Sequence, residues 1–451
     1  MTNRIGRIVA GSLIAGFLTA IFLVAIPFAG APENVISGVV LVAFGLGWAL
    51  LGVLSTAWTE QPQRWAALPA SVFLVAGAAL VEWPASVKVA ALAWIWPPVL
   101  LALVVCMTIR ARQQLRSRTR VWLLYPVFAI LACSALGATY ENVQELIDRA
   151  EYPMPGRLVD VGGRRLHLNC VGSGSPTVVL LPGAGDFTPD WGWIAPTVAR
   201  SSRVCMWDRA GRGWSDDAAG PQDGVALTMD LHTLLERAQV DGPFVLAGHS
   251  FGGLAALNYA ARYPEQVAGM VLLDGTSTEM FTRLRPYPTI YEAYRRVSAL
   301  FPSLARLGVG RIAYRSAFDS LPLQSQRVER AFWSTARLAR SQRDEWAEAP
   351  ALMRQARALK SLDERPLIVL TALREAQDGW VPLQDDLARL SSNVEHRILA
   401  NSTHASLTIN AGDARASSQA IVDVVMAVRT GRRFRASNPG VIAGGRFVGA
   451  P

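Results

Sequence analysis

The chain has little cysteine, and its four cysteines are not grouped with the spacing of metal ligands. A structural metal site is therefore not expected, and no sequence pattern calls for a cofactor. Charge is also scarce, since charged residues make up 18% of the 451 residues. The net charge of +9 comes largely from arginines at 110–120 and in the C-terminal tail, which is typical of solvated or lipid-facing segments rather than of a nucleic-acid-binding face.

The first 140 residues lack charges in the middle of their long apolar runs, apart from Lys88 near the end of one. This absence argues against an ion pathway or a proton relay through them. The runs are nevertheless close to the length that a bilayer-spanning helix needs. They cover residues 8–28, 35–58, 65–81, 87–109 and 121–138. We therefore predict an integral membrane protein with an all-α transmembrane region of about five helices at residues 1–139.

The distribution of arginines predicts how this region is oriented. Arg4 and Arg7 precede the first apolar run, and five arginines at 110–120 follow the fourth. If both groups are cytoplasmic, a fifth span carries the rest of the chain to the non-cytoplasmic side. The first run could instead be a signal peptide cleaved near residues 29–31, which would change the number of spans but not that side.

The segment PFVLAGHSFGG at 243–253 shows a strand–turn–helix pattern around Ser250. A buried apolar strand leads to the serine, and an apolar helix follows it. The G-x-S-x-G spacing is typical of a nucleophile elbow, in which small residues on both sides let strand and helix approach closely. The backbone amide of Phe251 would then face whatever Ser250 attacks.

The residues around this elbow alternate between apolar strands and helices. Strands are predicted at 176–186, 244–248, 266–275, 366–371 and 394–399, a strand followed by a polar turn at 203–216, and a hairpin at 158–170. This order predicts an α/β domain with a mostly parallel sheet and helices on both faces. We place a linking helix at 140–154, the domain at 155–429, a helical lid at about 276–362 and a disordered basic tail at 430–451.

Five motifs, in this order, resemble those of the α/β-hydrolase fold family in its membrane-anchored bacterial form. They are LLPGAGD (180–186), WDRAGRGWSD (207–216), GHSFGG (248–253), VLLDG (271–275) and STHAS (402–406). The resemblance covers residues 155–428 and implies the triad order serine, acid, histidine. It also implies that Asp208, Arg209 and Gly211 hold the turn after their strand. The transmembrane third resembles no motif of the family.

The resemblance places the general base in a loop after the last strand, where His404 lies in STHAS. The acid that orients this histidine has three candidates. We prefer Asp378, which is followed four residues later by Pro382, as in the family pattern. The loop is longer than the family norm, so Asp274 in VLLDG is the alternative and Glu375 a third possibility.

The resemblance also implies an oxyanion hole formed by the backbone amides of Ala184 and Phe251. Pro182 and Gly183 stand where the family often has a His-Gly pair, and no HGGG motif is present, which argues against the lipase branch that uses it. Cys170 and Cys205 fall on strands that are neighbours in the family's sheet. They could form a disulfide outside the cytoplasm or remain free buried thiols.

Together these features predict a membrane-anchored serine hydrolase of the esterase or lipase type (EC 3.1), with Ser250 as nucleophile. The apolar lid and the membrane anchor favour a small-molecule or lipid-like ester as substrate. The same triad would also suit a cofactor-free haloperoxidase or a peptidase. A third interpretation, from a different class, is a membrane sensor or binding module that keeps the fold without catalysis.

Overall fold

The computed structural model describes residues 4–82, 85–115, 122–218, 220–434 and 440–442. The chain divides into two compact units. A helical unit comprises Met1–Glu151 with two short segments from later in the chain, Tyr294–Ala313 and Ser334–Ala336. An α/β unit comprises Tyr152–Ala293, Tyr314–Trp333 and Arg337–Pro451.

Long apolar helices form the first part of the helical unit. They are α1 (Arg4–Ala25), α2 (Glu33–Trp58), α3 (Ala67–Glu82), α4 (Ala85–Gln114) and α5 (Tyr125–Glu151). Within the described residues, four segments are long and apolar enough to cross a membrane, and they match the first four predicted spans: Arg4–Ala25, Glu33–Trp58, Arg64–Glu82 and Ala93–Gln114.

The fifth predicted span, at 121–138, falls on α5 and is not among these four. The reason lies in the second half of the helix, which continues without a break through the predicted linker and carries charged residues such as Glu141, Asp148 and Arg149. The expected linking helix at 140–154 is therefore the end of α5 rather than a separate element.

The α/β unit is built on one nine-stranded sheet of order β1-β2-β4-β3-β5-β6-β7-β8-β9. The strands are β1 (Arg157–Asp160), β2 (Arg165–Val171), β3 (Val178–Leu181), β4 (Val204–Trp207), β5 (Phe244–His249), β6 (Val267–Leu273), β7 (Leu367–Ala372), β8 (Val394–Leu399) and β9 (Gly440–Ile442). β1 and β2 form the predicted antiparallel hairpin, and the strands from β4 onward along the order run parallel. The predicted α/β-hydrolase architecture is confirmed.

Helices cover both faces of this sheet. Before the insertion they are α6 (Ile194–Val198), α7 (Gly224–Arg237) and α8 (Phe251–Arg262). The insertion itself forms α9 (Met280–Arg283), α10 (Tyr287–Ser298), α11 (Phe301–Arg306), α12 (Val309–Ala313), α13 (Leu323–Trp333) and α14 (Ala336–Ala356), of which α11, α12 and the end of α10 belong to the helical unit. After it come α15 (Trp380–Ala388), α16 (Ser406–Ile409) and α17 (Ala411–Thr430). In β3, Val179 and Leu181 pack into one apolar core and Val178 and Leu180 into the other, because successive side chains of a strand point to opposite faces.

The predicted insertion at 276–362 is helical, and part of it belongs to the helical unit. Within that unit, Arg311 of α12 pairs with Glu141 and Asp148 of α5, and its Nε lies 2.8 Å from Glu141 Oε2. Arg306 of α11 pairs with Glu33, the first residue of α2. Within the helical unit, segment 294–313 is thus tied by ion pairs to α2 and α5.

The predicted disordered tail at 430–451 is wrong in part. Phe434 is buried, and Gly440–Ile442 forms β9 by pairing parallel with β8 at the edge of the sheet. The edge of β8 offers unpaired backbone groups, which accounts for the added strand. The rest of the predicted tail, 435–439 and 443–451, lies outside the described residues.

Candidate active site

Ser250 occupies a strained turn between β5 and α8. Its φ of 53° and ψ of −120° are unusual for a residue with a side chain. A Cβ at Gly252 would lie 1.9 Å from the Leu181 carbonyl oxygen, and one at Gly248 would lie 2.4 Å from the Gly252 oxygen. Only glycine fits at both positions, so the G-x-S-x-G spacing follows directly from the close approach of backbone segments.

The imidazole of His404 is paired with Asp274. Nδ1 of His404 lies 2.6 Å from Oδ2 of Asp274. The other carboxylate oxygen accepts from the Trp380 indole at 2.8 Å and from the Ala372 amide at 3.2 Å. The Asp274 side chain is 3% exposed and that of His404 is 46% exposed. A buried acid thus fixes an accessible imidazole and leaves its Nε2 free of the carboxylate.

Ser250, Asp274 and His404 follow three parallel strands, β5, β6 and β8, at their carboxyl ends. Two contacts to backbone carbonyl oxygens link these loops. The Thr276 amide donates to the Ser250 carbonyl at 3.0 Å, and Nε2 of His249 lies 3.0 Å from the His404 carbonyl oxygen. The structure therefore brings the predicted nucleophile, the predicted base and one predicted acid to the same edge of the sheet.

The preferred acid, Asp378, does not occupy the predicted place beside His404. Asp378 and Glu375 are exposed in the loop before α15, and it is Asp274 that contacts the imidazole. From that loop, Trp380 reaches the site and donates to Asp274. The preference for Asp378 is thus corrected in favour of Asp274. The reason is that the long loop directs the Trp380 indole, and no carboxylate, toward His404.

The other histidines have structural partners. His167 is fully buried with its Nδ1 2.8 Å from Oδ2 of Asp208. Burial lowers the pKa of His167, but the charge and hydrogen bond of Asp208 outweigh burial and raise it overall. His396 contacts Asp385, and His232 stacks on Tyr263. Among the histidines that pair with a carboxylate, His404 has the side chain most exposed to solvent.

The loop after β3 carries the predicted oxyanion donor Ala184. A turn closed by the Asp186 amide and the Gly183 carbonyl at 3.2 Å shapes this loop. The second predicted donor, Phe251, is the first residue of α8, where backbone N–H groups lack an acceptor within the helix. The residues that lead into this loop, Leu181 and Pro182, approach Gly252 at the start of α8, so the loop and the Ser250 turn are neighbours.

Arg209 does more than hold the turn after β4. Its guanidinium donates to the carbonyls of Pro182 and Gly183 at 2.6 and 2.5 Å. It also pairs with Glu345 of α14 at 2.7 Å. Sequence reasoning missed Glu345, since nothing in the helical pattern of the insertion singles out one carboxylate among several.

Cys170 and Cys205 are joined in a disulfide between β2 and β4, where they are directly opposite each other. The pairing is one of the two outcomes that the sequence left open. Among the residues with defined placement, no group of three or more histidine, cysteine or acidic side chains is arranged to hold a metal ion.

Comparison with known proteins agrees with the fold described above. A family model described as the alpha/beta hydrolase family matches residues 178–416, more than half of the chain. The chain belongs to the alpha/beta hydrolase family. The Cif epoxide hydrolase from Acinetobacter nosocomialis has a similar fold, with a TM-score of 0.53, 15% sequence identity and coverage of 64% of this chain and 96% of that one.

Two curated relatives show how far the similarity extends. An uncharacterised protein of Schizosaccharomyces pombe is 28% identical over 290 residues, which is 55% of this chain and 52% of the relative. The 2-hydroxy-6-oxo-2,4-heptadienoate hydrolase of Pseudomonas putida is 35% identical over 131 residues, 28% of this chain and 47% of the relative. The chain thus spans about half the length of these relatives.

Proposed function

We propose that this member of the family is a membrane-anchored serine hydrolase that cleaves esters through Ser250, His404 and Asp274. The observation that carries the proposal is the His404–Asp274 pair at the same sheet edge as the strained Ser250 turn. A serine hydroxyl is a weak nucleophile until a positioned base removes its proton.

In the proposed reaction, Nε2 of His404 takes the Ser250 proton as Oγ attacks the acyl carbon. The resulting oxyanion accepts hydrogen bonds from the Ala184 and Phe251 amides. The imidazolium, stabilised by Asp274, returns the proton to the departing alcohol and leaves an acyl-serine. Water, deprotonated by His404, then attacks this ester and releases the acid and free Ser250.

The helical insertion supports an apolar acyl group. Trp333 of α13 packs so closely on the loop after β3 that a Cβ at Gly185 would lie 2.5 Å from its ring. Phe332 of the same helix lies 5.4 Å from Phe187 and 5.2 Å from Trp214, measured between ring centroids. Aromatic side chains therefore line the insertion where it meets this loop. In the proposal, the apolar N-terminal helices keep the enzyme at the bilayer.

We propose further that the hydrolase domain faces away from the cytoplasm. Arg4 and Arg7 lie at the start of α1, and the arginines at 110–120 begin in the last residues of α4, which favours one cytoplasmic side for both groups. If α5 crosses the bilayer as well, the domain emerges on the opposite side. Added protease should then digest it in intact spheroplasts, and protection that is lost only on lysis would contradict this orientation.

Hydrolysis of p-nitrophenyl esters of increasing chain length by the full chain in detergent tests the proposed activity. We expect turnover by the wild type, with a preference for longer acyl chains, and none above background by Ser250→Ala. Turnover that survives in Ser250→Ala would contradict the mechanism. If a folded wild-type protein hydrolyses no ester and Ser250 is inert, the fold serves binding instead.

A further inference from the structure

Glu345 lies on α14 of the insertion, and its carboxylate reaches the loop that carries the proposed oxyanion donor. Its side chain is 9% exposed. Oε2 accepts from the Gly185 amide at 2.8 Å and from Arg212 at 2.6 Å, and Oε1 lies 2.7 Å from Arg209. Both oxygens are thus engaged, one of them directly with the backbone residue after Ala184.

Arg209 extends this contact to both proposed oxyanion donors. It binds the carbonyls of Pro182 and Gly183, which lead into Ala184. Its guanidinium carbon also lies 5.4 Å from the centre of the Phe251 ring, close enough for a cation–π contact. One buried arginine therefore touches the loop that carries Ala184 and the residue whose amide is the second donor.

Electrostatics make this arrangement depend on Glu345. Arg209 and Arg212 are 5% and 1% exposed, so both cations are nearly removed from water. Buried charges need compensation by a partner, and Glu345 contacts both. Without its negative charge, the two guanidinium groups would repel each other and Arg209 would lose its fixed position against the loop.

We propose that Glu345 is a positioning residue that sets the geometry of the oxyanion hole from the helical insertion. It acts through Arg209 and the Gly185 amide and does not touch the reacting atoms. The inference rests on the proposed function. It means that the hole is fully formed only while α14 is seated on the loop, so the insertion contributes to catalysis as well as covering the site.

Ester hydrolysis by Glu345→Gln, measured in the full chain, tests this role. We expect kcat to fall about 10- to 100-fold with KM changed less than about threefold, because misplacing the oxyanion donors weakens transition-state binding more than substrate binding. Glu345→Asp, which keeps the charge, should recover part of kcat. Asp344→Asn, on the same helix but exposed, is the matched control and should retain wild-type kcat.

Hydrogen exchange of the peptide covering residues 180–187 provides a second readout that needs no turnover. Faster exchange in Glu345→Gln than in Asp344→Asn is expected, since the Gly185 amide loses its charged acceptor. If Glu345→Gln does not fold, the same comparison is made with Glu345→Asp. Unchanged exchange, or wild-type kcat in folded Glu345→Gln, would overturn the proposal. Faster exchange in a protein that hydrolyses no ester would instead reject the proposed function and leave the positioning contact intact.

Discussion

Nδ1 of His404 and Oδ2 of Asp274 lie 2.6 Å apart although 130 residues separate them in the chain. The contact orients the ring, and the Trp380 indole holds the other oxygen of the carboxylate. A buried acid held by two partners cannot easily turn away from the histidine. The pair therefore accounts for how a partly exposed imidazole can be kept in one tautomer.

Replacing the acid distinguishes Asp274 from Asp378. Asp274→Asn should lower kcat for ester hydrolysis by about 10⁴-fold, because the amide favours the wrong histidine tautomer. Asp378→Asn is the matched control and should stay within about twofold of wild type, since its side chain is exposed in the loop before α15. The reverse order of the two effects would restore Asp378 as the acid.

Two buried carboxyls, those of Asp190 and Glu329, predict how stability depends on pH. Burial raises the pKa of Asp190, and the charge of Asp186 adds to this. Burial likewise raises the pKa of Glu329 on α13, with a further contribution from Asp190. Because the folded-state pKa values exceed those of the unfolded chain, the native state binds more protons, and stability is lost as pH rises through the raised values.

Glu329→Gln should therefore increase the melting temperature at about pH 8 and change it little at about pH 5, because the amide mimics the protonated acid. Glu265→Gln, at an exposed site, should leave the melting temperature unchanged at both pH values. A larger gain for Glu329→Gln at the acidic pH would contradict this assignment.

The disulfide between Cys170 and Cys205 predicts the number of reactive thiols. Cys106 and Cys133 are free. Alkylation of the denatured protein should modify two cysteines without reductant and four after reduction, as counted by intact mass. Four modified cysteines in both samples would show that the pair is reduced in the isolated protein.

The ion pairs of Arg311 predict that segment 294–313 is held against α5 within the helical unit. Arg311→Ala leaves Glu141 and Asp148 without this buried partner, which is costly when a buried pair is broken on one side. Proteinase K should cleave within residues 294–313 faster in this variant than in wild type. Arg315→Ala, at an exposed position, is the control, and equal cleavage of the two variants would contradict the role of the ion pairs.

The elbow and the sheet could be predicted because each depends on local pattern. The glycines around Ser250 are required because backbone atoms approach them within a few ångströms. The strands can be recognised as short runs of apolar residues, either continuous or alternating with polar ones. The choice of acid could not be predicted, because it depends on how two loops after neighbouring strands fold in space. The motif spacing favoured Asp378, whereas the loop presents Trp380 to the site.

Glu345 and Arg311 were beyond sequence reasoning for a related physical reason. Each lies in the helical insertion, where the sequence pattern predicts helices but not the partner of a single charge. Glu345 contacts Gly185 across 160 residues, and Arg311 contacts Glu141 across 170. The sequence pattern divides α5 into a span and a linking helix, because its second half is polar, although the helix continues without a break.

Covalent labelling by a fluorophosphonate tests the central claim most directly, since such a probe reports on one activated serine without knowledge of the substrate. The wild-type chain should gain a single adduct on the peptide that contains Ser250, and labelling should be lost in Ser250→Ala and strongly slowed in His404→Ala. A correctly folded wild-type protein without an adduct at Ser250, or one labelled equally well after His404→Ala, would contradict the account.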